Sequence, residues 1–143
     1  MSVYVDASFV VSVYAADGNF EAAVQAMEKN RDPLLLTVYG ELEVVNALEL
    51  RLFRREMTRE RVSKCLHNLR ADVRAGIFRL CPLPEGAFQR ALQLSLQTTA
   101  TSGNRSGDIL HVAAALELGA EGFYSFDERQ RMLARSMRLR LND

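Results

Sequence analysis

Stretches that suit short β-strands alternate along this chain with longer stretches that suit α-helices. The strand candidates are rich in β-branched, aromatic or leucine residues, and they cover 2–5, 34–37, 77–81 and 122–126. Consecutive strands that are joined by helices pair in parallel, and helices then cover both faces of the sheet. The alternation predicts an α/β fold, a three-layer αβα sandwich around a central, mostly parallel sheet of about four to five strands. Residues 137–141 are the candidate for a fifth strand, at an edge.

The composition is typical of one soluble globular domain over residues 1–143, with 48% hydrophobic and 25% charged residues. No apolar run approaches the roughly 20 residues that span a bilayer. The first residues lack the basic segment of a secretory signal, so we expect a cytoplasmic protein. The 18 basic residues balance 18 acidic residues, which argues against a protein that coats nucleic acid through bulk charge.

Four carboxylates stand where such a sheet is expected to present a site. Asp6 and Asp127 follow strand candidates, Glu43 lies early in the helix after the second strand, and Asp108 opens a helix after the polar stretch 99–107, the best loop candidate. Open α/β sheets bind ligands beyond the carboxyl ends of their strands, where these acids can converge. Each acid alone could instead cap a helix or interact with its dipole. Their joint placement in one repeating pattern favours a site.

The residues around these acids resemble the PIN domain family. The similarity lies in four blocks, which are 3–8 (VYVDAS), 43–48 (EVVNAL), 107–116 (GDILHVAAAL) and 123–130 (FYSFDERQ). Their order and spacing and the length of the chain all match, and the third and fourth blocks are the more specific. Among PIN domains, the size and helix content look most like the VapC-type toxins of bacterial and archaeal toxin–antitoxin pairs.

The resemblance implies a metal-dependent endoribonuclease that hydrolyses RNA phosphodiester bonds. Carried over position by position, the catalytic acids are Asp6, Glu43, Asp108 and Asp127. Asp6, Asp108 and Asp127 are then the expected ligands of Mg²⁺ or Mn²⁺. Ser8 falls on the small polar position that helps to hold the first acid, and Ser125 replaces the usual threonine before the last acid while keeping a hydroxyl.

Two further residues near these blocks need interpretation. Glu41 lies two positions before Glu43 on a roughly opposite helix face, so only one of the two can face the site. The alanine four positions after Glu43, Ala47, favours Glu43 as the family's acid. Arg105 precedes Asp108 in the polar stretch and is a candidate for binding substrate phosphate, because a guanidinium can donate to two phosphate oxygens at once.

The chemistry of the acids suits a hard cation. Mg²⁺ and Mn²⁺ prefer carboxylate and water oxygens, whereas the chain has no His and Cys cluster of the kind that binds zinc. Carboxylates in a shared cleft repel one another, so at least one should have a raised pKa in the metal-free protein. A bound divalent cation should then stabilise the fold by mass action.

The resemblance also implies partners: an RNA substrate such as tRNA or rRNA, a cognate antitoxin protein that fills the acidic groove, and a second copy in a homodimer. The alternative is a PIN-fold protein-interaction module without catalysis, although a pure scaffold does not need all four acids. A phosphoacceptor receiver domain is disfavoured because Ala7, and no second acid, follows Asp6. His111, one turn after Asp108, is either a proton shuttle or, the reading we favour, a partly buried structural residue.

Overall fold

The computed structural model describes all 143 residues. Strands and helices alternate in the order β1 (Val3–Val5), α1 (Ala7–Ala15), α2 (Phe20–Lys29), β2 (Leu34–Thr37), α3 (Val38–Phe53), α4 (Arg59–Arg74), β3 (Phe78–Cys81), α5 (Ala87–Ser102), α6 (Ser106–Glu117), β4 (Gly122–Tyr124) and α7 (Glu128–Ser136). The four strands form one sheet in the order β3-β2-β1-β4, and all three pairings are parallel. This arrangement confirms the predicted α/β sandwich. None of the helices is both long enough and apolar enough to cross a membrane.

Side chains leave each strand alternately toward two separate cores, as the pleat of a β-strand requires. On β1, Val3 and Val5 pack with residues of α1 to α4, whereas Tyr4 packs with residues of α5 to α7. On β4, Phe123 joins the second core and Tyr124 joins the first. Helices cover both faces of the sheet, which explains why the inner strands β1 and β2 are almost wholly apolar, whereas the edge strand β3 carries the exposed Arg79. The two free cysteines are buried, Cys65 in the first core and Cys81 in the second.

The predicted fifth strand does not form. The chain leaves α7 through Arg138, whose φ of 64° lies in the left-handed region. It then meets the sheet only at an isolated bridge between Arg140 and Gly122. The sheet therefore has four strands.

The polar stretch 99–107 is mostly helical, so its prediction as a loop was wrong. α5 continues to Ser102, and α6 already begins at Ser106. Thr98 keeps its hydroxyl satisfied within α5 by donating to the carbonyl of Leu94 at 2.7 Å. Gly103 ends the helix in a left-handed conformation, with φ of 64°, and its N–H donates to the carbonyl of Thr99 at 2.8 Å. The short connection holds the start of α6 close to the sheet.

Candidate active site

A cleft of about 620 Å³ opens where β1 and β4 end, and α1, α3, α6 and α7 contribute its walls. All four predicted acids line it: Asp6, Glu43, Asp108 and Asp127. Ser8 and Arg105 also line the cleft, and Ser125 is buried against Asp6. The structure thus brings together residues that lie far apart in the sequence but follow or adjoin the carboxyl ends of parallel strands.

Asp6 is almost completely buried, with 1% of its surface exposed, and hydrogen-bond donors surround its carboxylate. The side chain caps α1 by accepting from the Phe9 N–H at 3.0 Å. The hydroxyls of Ser8 and Ser125 donate to it at 2.8 and 2.7 Å. Ser8, which was predicted to help hold the first acid, is therefore in contact with it, and so is Ser125 from the block of the last acid.

Burial raises the pKa of Asp6 above its usual value, while the hydrogen bonds from Phe9, Ser125 and Ser8 act in the opposite direction. A raised pKa was expected for at least one acid of the cleft. The expected cause was repulsion between carboxylates, but the largest cause at Asp6 is the removal of its carboxylate from water.

Ser125 connects Asp6 to the last acid. Its hydroxyl donates to Asp6 and accepts from the backbone N–H of Asp127 at 2.9 Å. The Ser8 hydroxyl in turn accepts from the Phe126 N–H at 2.9 Å. Asp127 itself caps α7 by accepting from the backbone N–H of Gln130 at 3.1 Å. The two serines thereby join the end of β1 to the end of β4.

Arg105 lies between two of the acids. Its Nε donates to Asp108 at 3.1 Å, and its Nη2 donates to Asp127 at 3.1 Å. Asp108 is 3% exposed, and the residue with which it forms an ion pair is Arg105. Arg105 was predicted to bind substrate phosphate, whereas in this conformation its donors are directed at carboxylates.

Glu43 reaches the cleft from α3, and Glu41 is not among the lining residues. The carboxylate of Glu43 contacts Nε2 of His111, which is buried in α6 with 1% of its surface exposed. The sequence identifies both residues but not their pairing, because they lie 68 positions apart and meet only through tertiary packing.

Further polar side chains in the wall were not predicted. Asp17 accepts from the Ser12 hydroxyl at 3.0 Å and from Arg51 at 3.4 Å, and all three line the cleft. Gln130 is only 8% exposed, and its Oε1 has no hydrogen-bond partner. Residues 17–19 have the composition of a turn, and nothing local in the sequence shows that this turn faces the acids.

The donor set of the cleft suits a hard divalent cation, because four carboxylates line it. Those of Asp127 and Glu43 are partly open to solvent. No three His, Cys, Asp or Glu side chains are, however, already arranged as a metal-binding group. Arg105 occupies the position between Asp108 and Asp127 that a shared cation would need. The residues fit such an ion chemically, provided that Arg105 releases the two acids.

The chain is similar to a known protein family and to several solved structures. The family model for the PIN domain matches residues 3–136. No curated protein sequence matches the chain. Among solved structures, it is similar to the sarcin-ricin loop cleaving toxin VapC20 of Mycobacterium tuberculosis, with a TM-score of 0.69 and 16% identity over 92% of this chain and 94% of that one.

Two other structures share this fold. PAE2754 from Pyrobaculum aerophilum aligns with a TM-score of 0.61 and 15% identity, over 99% of this chain and 83% of that one. FitAcB from Neisseria gonorrhoeae aligns with a TM-score of 0.58 and 17% identity, over 97% of this chain and 95% of that one.

Proposed function

Because the chain belongs to the PIN domain family, we propose that it is a divalent-metal-dependent endoribonuclease and the toxin of a toxin–antitoxin pair. The observation that carries this proposal is the cleft in which four carboxylates from distant parts of the chain converge: Asp6, Glu43, Asp108 and Asp127. A scaffold without catalysis gains nothing from such a concentration of acids, since buried and crowded carboxylates destabilise a fold. This argues against the alternative of an inactive interaction module.

In the proposed mechanism, Asp6, Asp108 and Asp127 are the residues that would hold Mg²⁺ or Mn²⁺. The ion, when bound, promotes ionisation of the attacking water and offsets charge on the scissile phosphate. Ser8 and Ser125 keep the Asp6 carboxylate in one orientation through their hydrogen bonds. Rigid placement of such a group reduces the reorganisation that the reaction requires.

Glu43 is assigned to orienting the attacking water. Its side chain is about one-third exposed, at 36%, so it can reach a water in the cleft. Arg105 has two states in this proposal. It pairs with Asp108 and Asp127 in this structure, and it would be free to bind substrate phosphate if it released them.

The proposed substrate is a structured RNA such as tRNA or rRNA. The similar fold of VapC20, which is described as a toxin that cleaves the sarcin-ricin loop, supports this choice. The proposed partners are a cognate antitoxin protein that fills the acidic cleft and a second copy of the chain in a homodimer. The proposed location is the cytoplasm, where such a substrate is found.

Incubation of the purified protein with total RNA and Mn²⁺ tests the activity, with fragments resolved on a denaturing gel. We expect wild-type protein to cleave RNA and EDTA to abolish cleavage. Asp108→Asn should reduce the rate by more than about 100-fold, beyond the 10–100-fold typical of residues outside the first coordination shell. Glu117→Gln, a change in the same helix whose side chain pairs with Arg90 outside the cleft, should cleave normally. Equal cleavage by wild type and Asp108→Asn would exclude the catalytic assignment.

A further inference from the structure

We propose that His111 is a positioning residue that holds the carboxylate of Glu43 in its working orientation, and that Glu43 on one side of the ring and Tyr4 with Thr37 on the other together determine which ring nitrogen of His111 carries the proton. The inference rests on the proposed ribonuclease function. It concerns a polar network that lies between the sheet and the cleft and that the mechanism above does not explain.

The His111 side chain has both of its ring nitrogens engaged. Nε2 contacts Oε1 of Glu43, and Nδ1 lies 2.7 Å from the hydroxyl oxygen of Tyr4. Tyr4 is fully buried on β1, and its hydroxyl lies 3.2 Å from Oγ1 of Thr37 at the end of β2. Oγ1 of Thr37 accepts from the Gly40 N–H at 3.1 Å. The network therefore runs from the backbone of α3 through the core and back to Glu43 on the same helix.

The two ends of the network determine the direction of its hydrogen bonds. An ionised Glu43 carboxylate can only accept, so its contact with Nε2 of His111 favours a proton on that nitrogen. In a neutral imidazole Nδ1 is then an acceptor, and Tyr4 donates its hydroxyl proton to it. The Tyr4 oxygen is left to accept from Thr37, whose own oxygen accepts from a backbone N–H that can only donate. Each group in the series has one consistent role, which selects the Nε2–H tautomer.

The orientation of the His111 ring is also determined by packing. The ring lies edge-on to Tyr4, with centroids 5.8 Å apart, and against Tyr39, with centroids 5.1 Å apart. At Gly40, an added Cβ would come within 2.8 Å of the Leu36 side chain, so the backbone of α3 approaches the sheet closely beside the ring. The imidazole has little freedom to turn, and its Nε2–H bond points along a constant direction.

Glu43 accepts fewer hydrogen bonds than the other acids of the cleft. Asp6 has three separate donors, and Asp108 receives several bonds from Arg105. The contact with His111 is the one hydrogen bond that the Glu43 carboxylate makes within the protein. Loss of the imidazole should therefore free the Glu43 side chain to adopt other rotamers. The attacking water should then be oriented less precisely, whereas substrate binding should not change.

Substitutions of His111 by two amides separate positioning from a merely structural role. In His111→Gln the amide reaches the place of Nε2 and can donate to Glu43, whereas in His111→Asn the shorter amide can meet Tyr4 but falls short of Glu43. We expect His111→Asn to lower kcat for RNA cleavage by about 10–100-fold with KM nearly unchanged. His111→Gln should restore kcat to within a few-fold of wild type. Similar kcat values for the two variants, whether both normal or both low, would overturn the proposal.

Tyr4→Phe tests the origin of the tautomer, with Tyr14→Phe as the matched control because the Tyr14 hydroxyl donates to Asp72 outside the cleft. The ¹⁵N chemical shifts of the His111 ring report the position of the proton without any substrate. We expect the Nε2–H tautomer in wild type and in Tyr14→Phe, and a mixture of tautomers in Tyr4→Phe. An unprotonated Nε2 in the wild type would overturn the proposal even if the protein cleaves no RNA, so this failure differs from failure of the proposed function.

A double-variant comparison covers the case in which changes at His111 reduce stability. In a Glu43→Gln background, His111→Asn should lower kcat no further, because the carboxylate that the imidazole positions is already gone. A full additional 10–100-fold loss in that background would show that His111 acts independently of Glu43, and it would contradict the proposal.

Discussion

At the scale of single residues, Asp6 shows how the fold accommodates a buried charge. Its carboxylate is balanced by three hydrogen-bond donors, and no cation contacts it directly. These donors lower the free energy of the ionised form, but burial still raises the pKa of Asp6. Such a residue destabilises the metal-free protein and becomes favourable when a cation binds beside it, which is expected of a functional carboxylate and not of a structural one.

The raised pKa predicts a pH-dependent effect of Asp6→Asn on stability. Because the folded-state pKa lies above the unfolded-state value of about 3.9, ionisation of Asp6 destabilises the fold, and this penalty develops as the pH rises through the raised pKa. In EDTA, Asp6→Asn should therefore gain stability relative to wild type at pH 8, and the gain should shrink toward pH 4. Urea unfolding at a series of pH values measures it, with exposed Glu21→Gln correcting for the change in net charge. A difference that does not vary with pH would contradict the prediction.

We expect the guanidinium of Arg105 and a divalent cation to compete for the carboxylates of Asp108 and Asp127. Mn²⁺ should raise the Tm of wild-type protein, and Asp6→Asn should abolish the rise. Arg105→Gln removes the group that bridges Asp108 and Asp127, so it should lower the Tm in EDTA and tighten Mn²⁺ binding several-fold. Calorimetric titration with Mn²⁺ gives the Kd, and Arg90→Gln, which breaks an ion pair outside the cleft, is the control. An unchanged Kd in Arg105→Gln would show that the two cations do not compete.

At the scale of elements, the sequence predicts the four strands of the sheet because each is a short, mostly apolar run next to an acid, a proline or a glycine. The boundary between α5 and α6 could not be predicted, because residues 99–102 are mostly polar. They are nevertheless helical, and hydroxyl groups of α5 form hydrogen bonds within the helix. The convergence of Asp6 and Asp127 was predictable because strand ends in a parallel sheet meet at one edge, whereas Glu43 and Asp108 lie in helices and were identified through the resemblance to the PIN domain family. The pairing of His111 with Glu43 depends on how α3 and α6 pack, which local sequence does not encode.

Two helix caps allow a prediction about the start of α3. Thr37 and Thr58 each accept from a backbone N–H in the first turn of their helix, at 3.1 and 3.2 Å. Thr58→Ala should cost about 1 kcal/mol, the usual value for an exposed cap. Thr37→Ala should cost about 2 kcal/mol or more, because Thr37 is fully buried and its loss also leaves the Tyr4 hydroxyl without one partner. Urea unfolding compares the two, and an equal loss of stability would contradict the buried network.

At the scale of the whole molecule, the zero net charge hides an uneven distribution. The four cleft acids account for four of the 18 acidic residues, so the rest of the chain carries four more positive than negative charges. Two of the positive charges, those of Arg51 and Arg105, lie in the wall of the cleft itself. A cation in the cleft would make the molecule net positive, which favours the approach of RNA phosphates.

An apolar row on α5 is the surface at which we expect two copies of the chain to meet. Phe88, Leu92 and Leu96 recur at every fourth position and are 63%, 67% and 87% exposed. The one charged residue of α5, Arg90, is already paired with Glu117 at 3.0 Å. This face therefore carries little charge that would repel an identical face, and its exposed apolar surface is of the kind that oligomers bury.

We expect wild-type protein to have twice the mass of one chain in size-exclusion chromatography with light scattering. Leu92→Glu should shift it to the monomer, because pairing of identical faces would then bring two carboxylates together in an apolar contact. Phe53→Glu is the control, since Phe53 is 83% exposed at the end of α3 and does not belong to the row. A monomeric wild type would exclude the dimer. A dimer that survives Leu92→Glu but not Phe53→Glu would move the interface to the turn between α3 and α4.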